Sequence, residues 1–457
     1  MIRVLLLVIL MLGPAAEAQL LPGTPVPPLP GGLPGGLPGD LPGGLPGSVP
    51  ADLPGLAGRT THALTDEASQ LERARKLRIE LLLRRHPDVL EADPSGDPIV
   101  RGEVLAFSPA PAAQARALGA GFSILGESFL GALGLHIVVL GVPAHMTTSR
   151  ALSLLRRWDP AGTYDYNNIY TESGVTAGGA IAPSGSASSR GASATALGLV
   201  DGGVGTAQAV FGGDVIHRYG CGGALVPSAH GTEVASLMVG RSAQFGGAAA
   251  GAALYAADVY CGKPTGGAVD AIAEALEWLA GQQVPVINMS LVGPPNVLLQ
   301  QVIAHLVARG FLIVAAVGND GPAAPPLYPA AYPGVVGVTA VDTRQHVIFE
   351  AERGPQVMFA APGAGIPAAA LPNGFANVRG TSFAAPLVAG LLAKELASVE
   401  HGSEPTPPPG VDATAARAAV DALERAAIHL GTPGRNIVSG YGLVGAGLPS
   451  PRPATGK

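Results

Sequence analysis

Four short segments carry residue types that together could perform acyl transfer. The apolar run Leu197-Gly198-Leu199-Val200 delivers Asp201, which Gly202 and Gly203 follow. His230-Gly231-Thr232-Glu233-Val234-Ala235 sets an imidazole at the start of a helical apolar pattern, with Gly231 permitting a close approach. Gly380-Thr381-Ser382-Phe383-Ala384-Ala385-Pro386 puts a serine at the head of a buried helix, where unpaired N–H groups and the helix dipole favour negative charge near its oxygen. Pro386 is expected in the first turn of that helix, where its missing N–H breaks no bond. Ala315-Ala316-Val317-Gly318-Asn319-Asp320-Gly321 ends a strand in a turn that aims an amide outward. Each alone has a plain structural explanation, such as an aspartate opening a glycine turn or a histidine settled in a core. Together they meet every need of a serine nucleophile: Ser382 to attack, His230 to take its proton, Asp201 to fix the imidazole tautomer, and Asn319 to donate to an oxyanion.

The elements that must hold these residues are legible in outline. Apolar runs at Ala196–Val200, Ala253–Val259, Val284–Met289, Leu312–Val317 and Val335–Val341 alternate with helical patterns at Ala268–Gly281 and Val297–Gly310. Continuous Val/Ile/Leu strands between helices predict a three-layer α/β domain with a parallel sheet covered on both faces. Such sheets present functional residues at the carboxyl ends of their strands, where Asp201 and Asn319 lie. A further helix is expected from Ala413 to His429, after a proline-rich surface loop from His401 to Gly410.

With these residues in place, the chain resembles the subtilisin-like serine peptidases. The chain order Asp, His, Ser matches, as do His-Gly-Thr-x-Val-Ala, Gly-Asn-x-Gly and Gly-Thr-Ser-x-Ala-Ala-Pro, and Tyr441-Gly442-Leu443-Val444 is similar to the family's closing segment. The resemblance covers residues 193–448 and implies a secreted serine endopeptidase with Asp201, His230 and Ser382 as triad and Asn319 as oxyanion donor. It also implies that Ser290, Leu291, Val292 and Gly293 form an edge on which a peptide substrate pairs as an added strand. By the same resemblance Ala315, Ala316, Val317 and Gly318 would wall the pocket for the residue before the scissile bond. Two departures stand out. Gly202 takes the place of a hydroxyl residue usual after the catalytic aspartate, and Val292-Gly293-Pro294 replaces a usual glycine pair. The related sedolisins share Gly-Thr-Ser but use Glu and Asp for the base; His230 in its full motif argues against them. The alternative from another class is an exported, inactive subtilase fold kept as a binding or surface-interaction platform.

Upstream, Arg3, the apolar Val4–Leu12 and Ala16-Glu17-Ala18 form the pattern of a signal peptide over residues 1–18, too short to span a bilayer. Export to the periplasm, cell surface or medium is expected, with no membrane span once the signal is removed. Residues 19–60 repeat Leu-Pro-Gly-Gly and read as an extended flexible spacer, in a chain with 65 Gly and 43 Pro. Residues 61–98 hold an amphipathic helix ending before Pro87, with its basic residues expected on a solvated face. Residues 99–170 suit a small α+β module: a strand from Ile99 to Phe107, a helix from Ala110, a strand pair and a helix from Thr148. Residues 171–192 are Gly, Ala and Ser with little bulk and read as an exposed linker, and 449–457 as a tail. The family resemblance gives the module a role as a propeptide, self-cleaved between Asn168 and Ser193; a permanent N-terminal domain is the other option.

Composition narrows the partners. Only 13% of residues are charged and 47% are hydrophobic, so a sizeable core is available despite the spacer. A net charge of -6 gives no overall phosphate-neutralising surface, so nucleic acid is not an expected partner; protein or peptide substrates and the chain's own propeptide are. Cys221 and Cys261, the only cysteines, suit one disulfide in an oxidising compartment or two buried thiols. No Cys/His cluster has ligand spacing and no Asp-rich loop is of the calcium-binding kind, so no cofactor is expected, and structural calcium has no readable position. His217, His305 and His346 stand alone.

Overall fold

A computed structural model describes residues 56–181, 196–242, 246–401, 412–431 and 433–448. The expected signal segment, most of the spacer, linker residues 182–192, most of the proline-rich loop and the tail lie outside them. The first helix, α1 (Leu56–Arg85), is longer than its apolar pattern predicted and stops, as expected, just before Pro87. Residues from Ala57 onward form one compact unit.

The small module runs through β1 (Leu90–Ala92), β2 (Pro98–Phe107), α2 (Pro111–Gly119), β3 (Ser123–Leu130), β4 (Leu135–Gly141), α3 (Thr148–Trp158) and β5 (Thr163–Glu172). Its antiparallel sheet has the order β5-β2-β4-β3, with β1 beside β2. Strand alternation gives that sheet two apolar faces. Val104, Ala106, Val138 and Leu140 pack on α2 and α3, where the Thr147 hydroxyl caps the helix by accepting from the Arg150 N–H. Leu105, Ile137 and Val139 join a second core that belongs to the larger domain. β5 was not expected, because Asp165, Asn167 and Asn168 are poor strand formers. Tertiary partners override that preference: Asp165 accepts from the Val297 N–H, Asn167 donates to Glu103, and Asn168 accepts from Asn296.

Beyond the module the chain forms β6 (Val175–Ile181), β7 (Leu197–Asp201), β8 (Ile216–Tyr219), α4 (Ala229–Val239), β9 (Leu254–Asp258), β10 (Gly267–Ala268) and α5 (Val269–Gly281). There follow β11 (Val286–Met289), β12 (Leu291–Val292), α6 (Val297–Ala308), β13 (Leu312–Ala316), β14 (Val336–Val341), β15 (Val357–Pro362), β16 (Ala364–Ala369), β17 (Phe375–Arg379), α7 (Thr381–His401) and α8 (Ala413–Ala426). Seven strands make the expected parallel sheet in the order β15-β14-β13-β11-β7-β9-β8. The core on one face draws on α4, α7 and α8, and the core on the other on α5 and α6, giving the three layers. α7 is long and apolar enough to cross a membrane, but most of its apolar length is buried in this core.

Two expectations are corrected. The stretch from 171 is not a linker throughout: Thr171 and Glu172 end β5, and Val175–Ile181 pairs antiparallel with β17. Pro386 lies at the sixth position of α7, not in its first turn. There it removes the donor that would have met the Ser382 carbonyl, and the Ser290 hydroxyl donates to that carbonyl instead at 2.8 Å.

Candidate active site

Asp201 ends β7 at the carboxyl edge of the sheet and is fully buried. His230 is the second residue of α4, whose start is fixed by the Ser228 hydroxyl accepting from the Gly231 N–H at 2.9 Å. Helix and strand approach so closely that a Cβ at Gly231 would come within 2.1 Å of the Gly202 carbonyl oxygen. The result is a buried His230 whose Nδ1 lies 3.0 and 3.1 Å from the two Asp201 oxygens, which leaves Nε2 facing away from the carboxylate. Gly202 donates its own N–H to Asp201 Oδ1 at 2.7 Å. The missing hydroxyl at that position has a steric reason: a Cβ at 202 would come 2.4 Å from Ser228 Oγ, so the α4 cap occupies that space.

Ser382 is the second residue of α7 and fully buried. Its hydroxyl donates to the Ser290 carbonyl at 3.1 Å, while His230 Nε2 has no hydrogen-bond partner. Asn319 follows β13 across Gly318, whose φ of +115° favours glycine. The Thr381 N–H donates to Asn319 Oδ1 at 3.0 Å, which turns Nδ2 toward the head of α7. Two donors therefore converge there, the Ser382 N–H and Asn319 Nδ2.

They converge on a residue of the same chain. The Ser173 carbonyl accepts from the Ser382 N–H at 3.2 Å and from Asn319 Nδ2 at 2.9 Å. The Ser173 hydroxyl accepts from Asn319 as well, at 2.8 Å. Leading into Ser173, β5 lies between two strands of the larger domain. Ile169 and Tyr170 pair with Ala268 and Gly267 of β10, and Thr171 and Glu172 pair with Val292 and Leu291 of β12. Tyr170 is fully buried, donates its hydroxyl to the Pro294 carbonyl at 2.6 Å, and lies on the backbone of Gly293 so tightly that a Cβ there would come within 2.7 Å of its ring. Thus Leu291, Val292 and Gly293 do flank an extended segment, whereas Ser290 is buried between β11 and α7 and bonds Ser382 instead. Of the four residues expected to wall the pocket, Ala315, Ala316 and Val317 are wholly buried in the two cores; only Gly318 borders the site, with Leu327 and Glu352 against it.

Burial alone would lower the pKa of His230, but the Asp201 carboxylate overrides it, aided by Glu172 and Glu233, and holds the imidazole at about 9. Glu172 is itself raised, by the surrounding protein first and by Asp201 and Glu233 as like charges, with His230 pulling the other way. Burial also pushes Glu352 up to about 9, helped by Asp320; Glu352 accepts from the Leu327 N–H at 3.1 Å, and its Oε1 has no partner.

Tyr170, Glu172 and Ser173 carry no sequence signal as site residues, since Glu172-Ser173-Gly174 has no motif. The basic face of α1 is largely in solvent, as expected, with Arg73, Lys76, Arg78, Arg84 and Arg85 exposed; at its inner edge the half-buried Arg75 and the outer Arg78 also pair with Asp320, beside Asn319, and Leu71 lies against Gly321. Between α1 and the cleft is a cavity of about 850 Å³, bordered by Leu71, Leu82, Glu172, Tyr260, Lys263 and Asn319. Cys221 and Cys261 are joined as a disulfide that ties the segment after β8 to the end of β9.

Residues 226–442 match the model of the subtilase family. Asp201 lies outside that match and is brought to it by β7. Subtilisin BL of Lederbergia lenta is 36% identical over 171 residues, 36% of this chain and 62% of the relative. The minor extracellular protease Epr of Bacillus subtilis (strain 168) is 29% identical over 224 residues, 48% of this chain and 32% of that one. The chain thus spans 62% and 32% of the length of these two relatives. In fold it is similar to fervidolysin from Fervidobacterium pennivorans, a keratinolytic enzyme related to subtilisin, with a TM-score of 0.61 at 18% identity, over 76% of this chain and 60% of the other.

Proposed function

We propose that this chain, whose residues 226–442 belong to the subtilase family, is an exported serine endopeptidase made as a precursor that cuts its own Ser173–Gly174 bond. The observation that carries this reading is the seating of the Ser173 carbonyl on the Ser382 N–H and Asn319 Nδ2. Two fixed donors on one carbonyl oxygen are what a tetrahedral intermediate requires. The flanking pairing of β5 with β10 and β12 holds the segment as a substrate strand would be held.

In this mechanism the Ser382 hydroxyl turns from the Ser290 carbonyl to His230 Nε2, gives up its proton, and attacks the Ser173 carbonyl carbon. The oxyanion rests on the two donors, and Asp201 holds the imidazolium by its Nδ1–H. His230 then passes the proton to the Gly174 nitrogen, which leaves. Water, deprotonated by the same imidazole, frees Ser173 as a carboxylate and restores Ser382. The module up to Ser173 would stay docked through β5, α5 and α6 as an inhibitor until it is removed, which is the propeptide role. Cleavage at Ser173–Gly174 lies inside the interval from Asn168 to Ser193 that the sequence delimits.

The test is hydrolysis of an internally quenched peptide Tyr-Thr-Glu-Ser-Gly-Val, the chain's residues 170–175. The processed protein is expected to cut it between Ser and Gly, and Ser382→Ala to leave it intact. Cutting elsewhere, or equal cutting by the variant, would overturn the reading.

A further inference from the structure

We propose that Glu172, the residue immediately before the bond presented to Ser382, is an electrostatic brake on His230 that slows cleavage of that bond. The proposal rests on the reading of Ser173–Gly174 as the substrate bond and adds how its cleavage is regulated.

The geometry is a cluster of three groups. Pairing of Glu172 with Leu291 fixes its backbone, and strand alternation puts its side chain on the face of β5 that carries the anchored Tyr170. One oxygen of Glu172, which is exposed, one of the buried Asp201 and one ring nitrogen of the buried His230 lie within 4.8 Å of one another. A substrate residue thereby adds a second carboxylate to an imidazole that already has one. Around His230, Asp201 comes from β7, Glu172 from β5 and Glu233 from the next turn of α4, while α7 carries the uncharged Ser382 and Phe383, whose ring lies 5.4 Å from the imidazole. Asp258, which ends β9, and Tyr260, just after it, face Asp201, and Lys263 lines the cavity shared with Glu172.

A general base must be neutral to accept a proton. Three carboxylates favour the charged imidazole, in keeping with its raised pKa. The Ser382 hydroxyl donates to the Ser290 carbonyl and must turn to reach Nε2, which can take its proton only when the imidazole is neutral. Once the bond is cut and the segment leaves, Glu172 leaves with it, so the brake is released by its own reaction. The same logic applies to other substrates: an acidic residue directly before the cleaved residue makes a peptide poor at neutral pH, and a neutral one makes it better.

The test uses the full chain, held at pH 5 and shifted to fixed values between pH 5 and 10, with conversion followed by intact mass. Glu172→Gln is expected to move the midpoint of rate against pH downward, and each unit of that shift raises the neutral-pH rate about tenfold. Glu172→Asp, which keeps the charge, is expected to retain the wild-type midpoint. In parallel, processed wild type is given the peptide Tyr-Thr-Glu-Ser-Gly-Val and its Gln counterpart, and the Glu peptide is expected to need the higher pH. Wild-type conversion at Ser173–Gly174 with the same midpoint for Glu172→Gln, or equal pH profiles for both peptides, overturns the brake alone. A wild type that never cuts this bond overturns the self-processing reading and the brake with it.

Discussion

Replacing Tyr170 by Phe removes a single hydroxyl from the segment that enters the cleft. That hydroxyl donates to the Pro294 carbonyl at 2.6 Å in a fully buried setting, and a Phe ring would leave the carbonyl without a donor. An unmet buried acceptor costs about 1–3 kcal/mol. At about 1.4 kcal/mol per tenfold, the cut N-terminal fragment should dissociate about 5- to 140-fold more readily. The ring itself stays packed on Gly293, so the fold of the complex should not change. Tyr170→Ala empties the site as well and adds the loss seen for large aromatic truncations, about 3–5 kcal/mol in all. The assay is dilution of the self-cleaved complex into a peptide substrate, with the initial rate at each dilution reporting the fraction of fragment released. Dissociation of the Tyr170→Phe complex within twofold of wild type would refute the reasoning, because the hydroxyl would then not be seated where Pro294 can receive it.

Asp320→Asn removes the carboxylate that holds Arg75 and Arg78, and should weaken the docking of α1 by about 1–3 kcal/mol, seen as faster amide exchange over residues 71–85 with the sheet unchanged. Gly202→Ser should displace the Ser228 cap and lower stability by about 0.5–2 kcal/mol in thermal denaturation of the Ser382→Ala protein; adding Ser228→Gly should recover part of the loss. Cys221→Ser opens a crosslink with a sequence separation of 40 residues and should cost about 4 kcal/mol in denaturant unfolding. Glu352 titrates near 9 when folded and at the usual 4.5 when unfolded, so its protonated form favours the fold and stability is lost as pH rises from 4.5 to 9. Glu352→Gln should therefore be more stable than wild type by ~3 kcal/mol at pH 7, with the gain gone below pH 4.5; a constant difference across pH would contradict this.

The central strands were legible because a strand buried on both faces must be apolar along its whole length. Leu197–Val200 and Leu312–Val317 are such runs, and the residues at their ends could be placed with them. The edge strand β8, with His217 and Arg218 partly in solvent, lacks that signature. β5 was hidden for a different reason: its Asp and Asn residues are satisfied by Asn296, Val297 and Glu103, partners far away in the chain. The four site residues could be read because each sits at a start or end that its neighbours enforce, Gly231 by close approach and Gly318 by positive φ. What could not be read was the occupant of the cleft. Tyr170, Glu172 and Ser173 become a substrate-like strand only through pairing with β10 and β12, which lie far along the chain. The pairing of Arg75 and Arg78 with Asp320 could not be read because that partner is likewise remote.

The most direct measurement is N-terminal sequencing with intact mass of the wild-type protein beside Ser382→Ala, both produced with export. The account predicts a wild-type chain that begins at Gly174, an N-terminal fragment that ends at Ser173, and a variant in which the bond between them is whole. A wild type cut at another bond, or a Ser382→Ala protein cut at this one in the absence of other proteases, would contradict it.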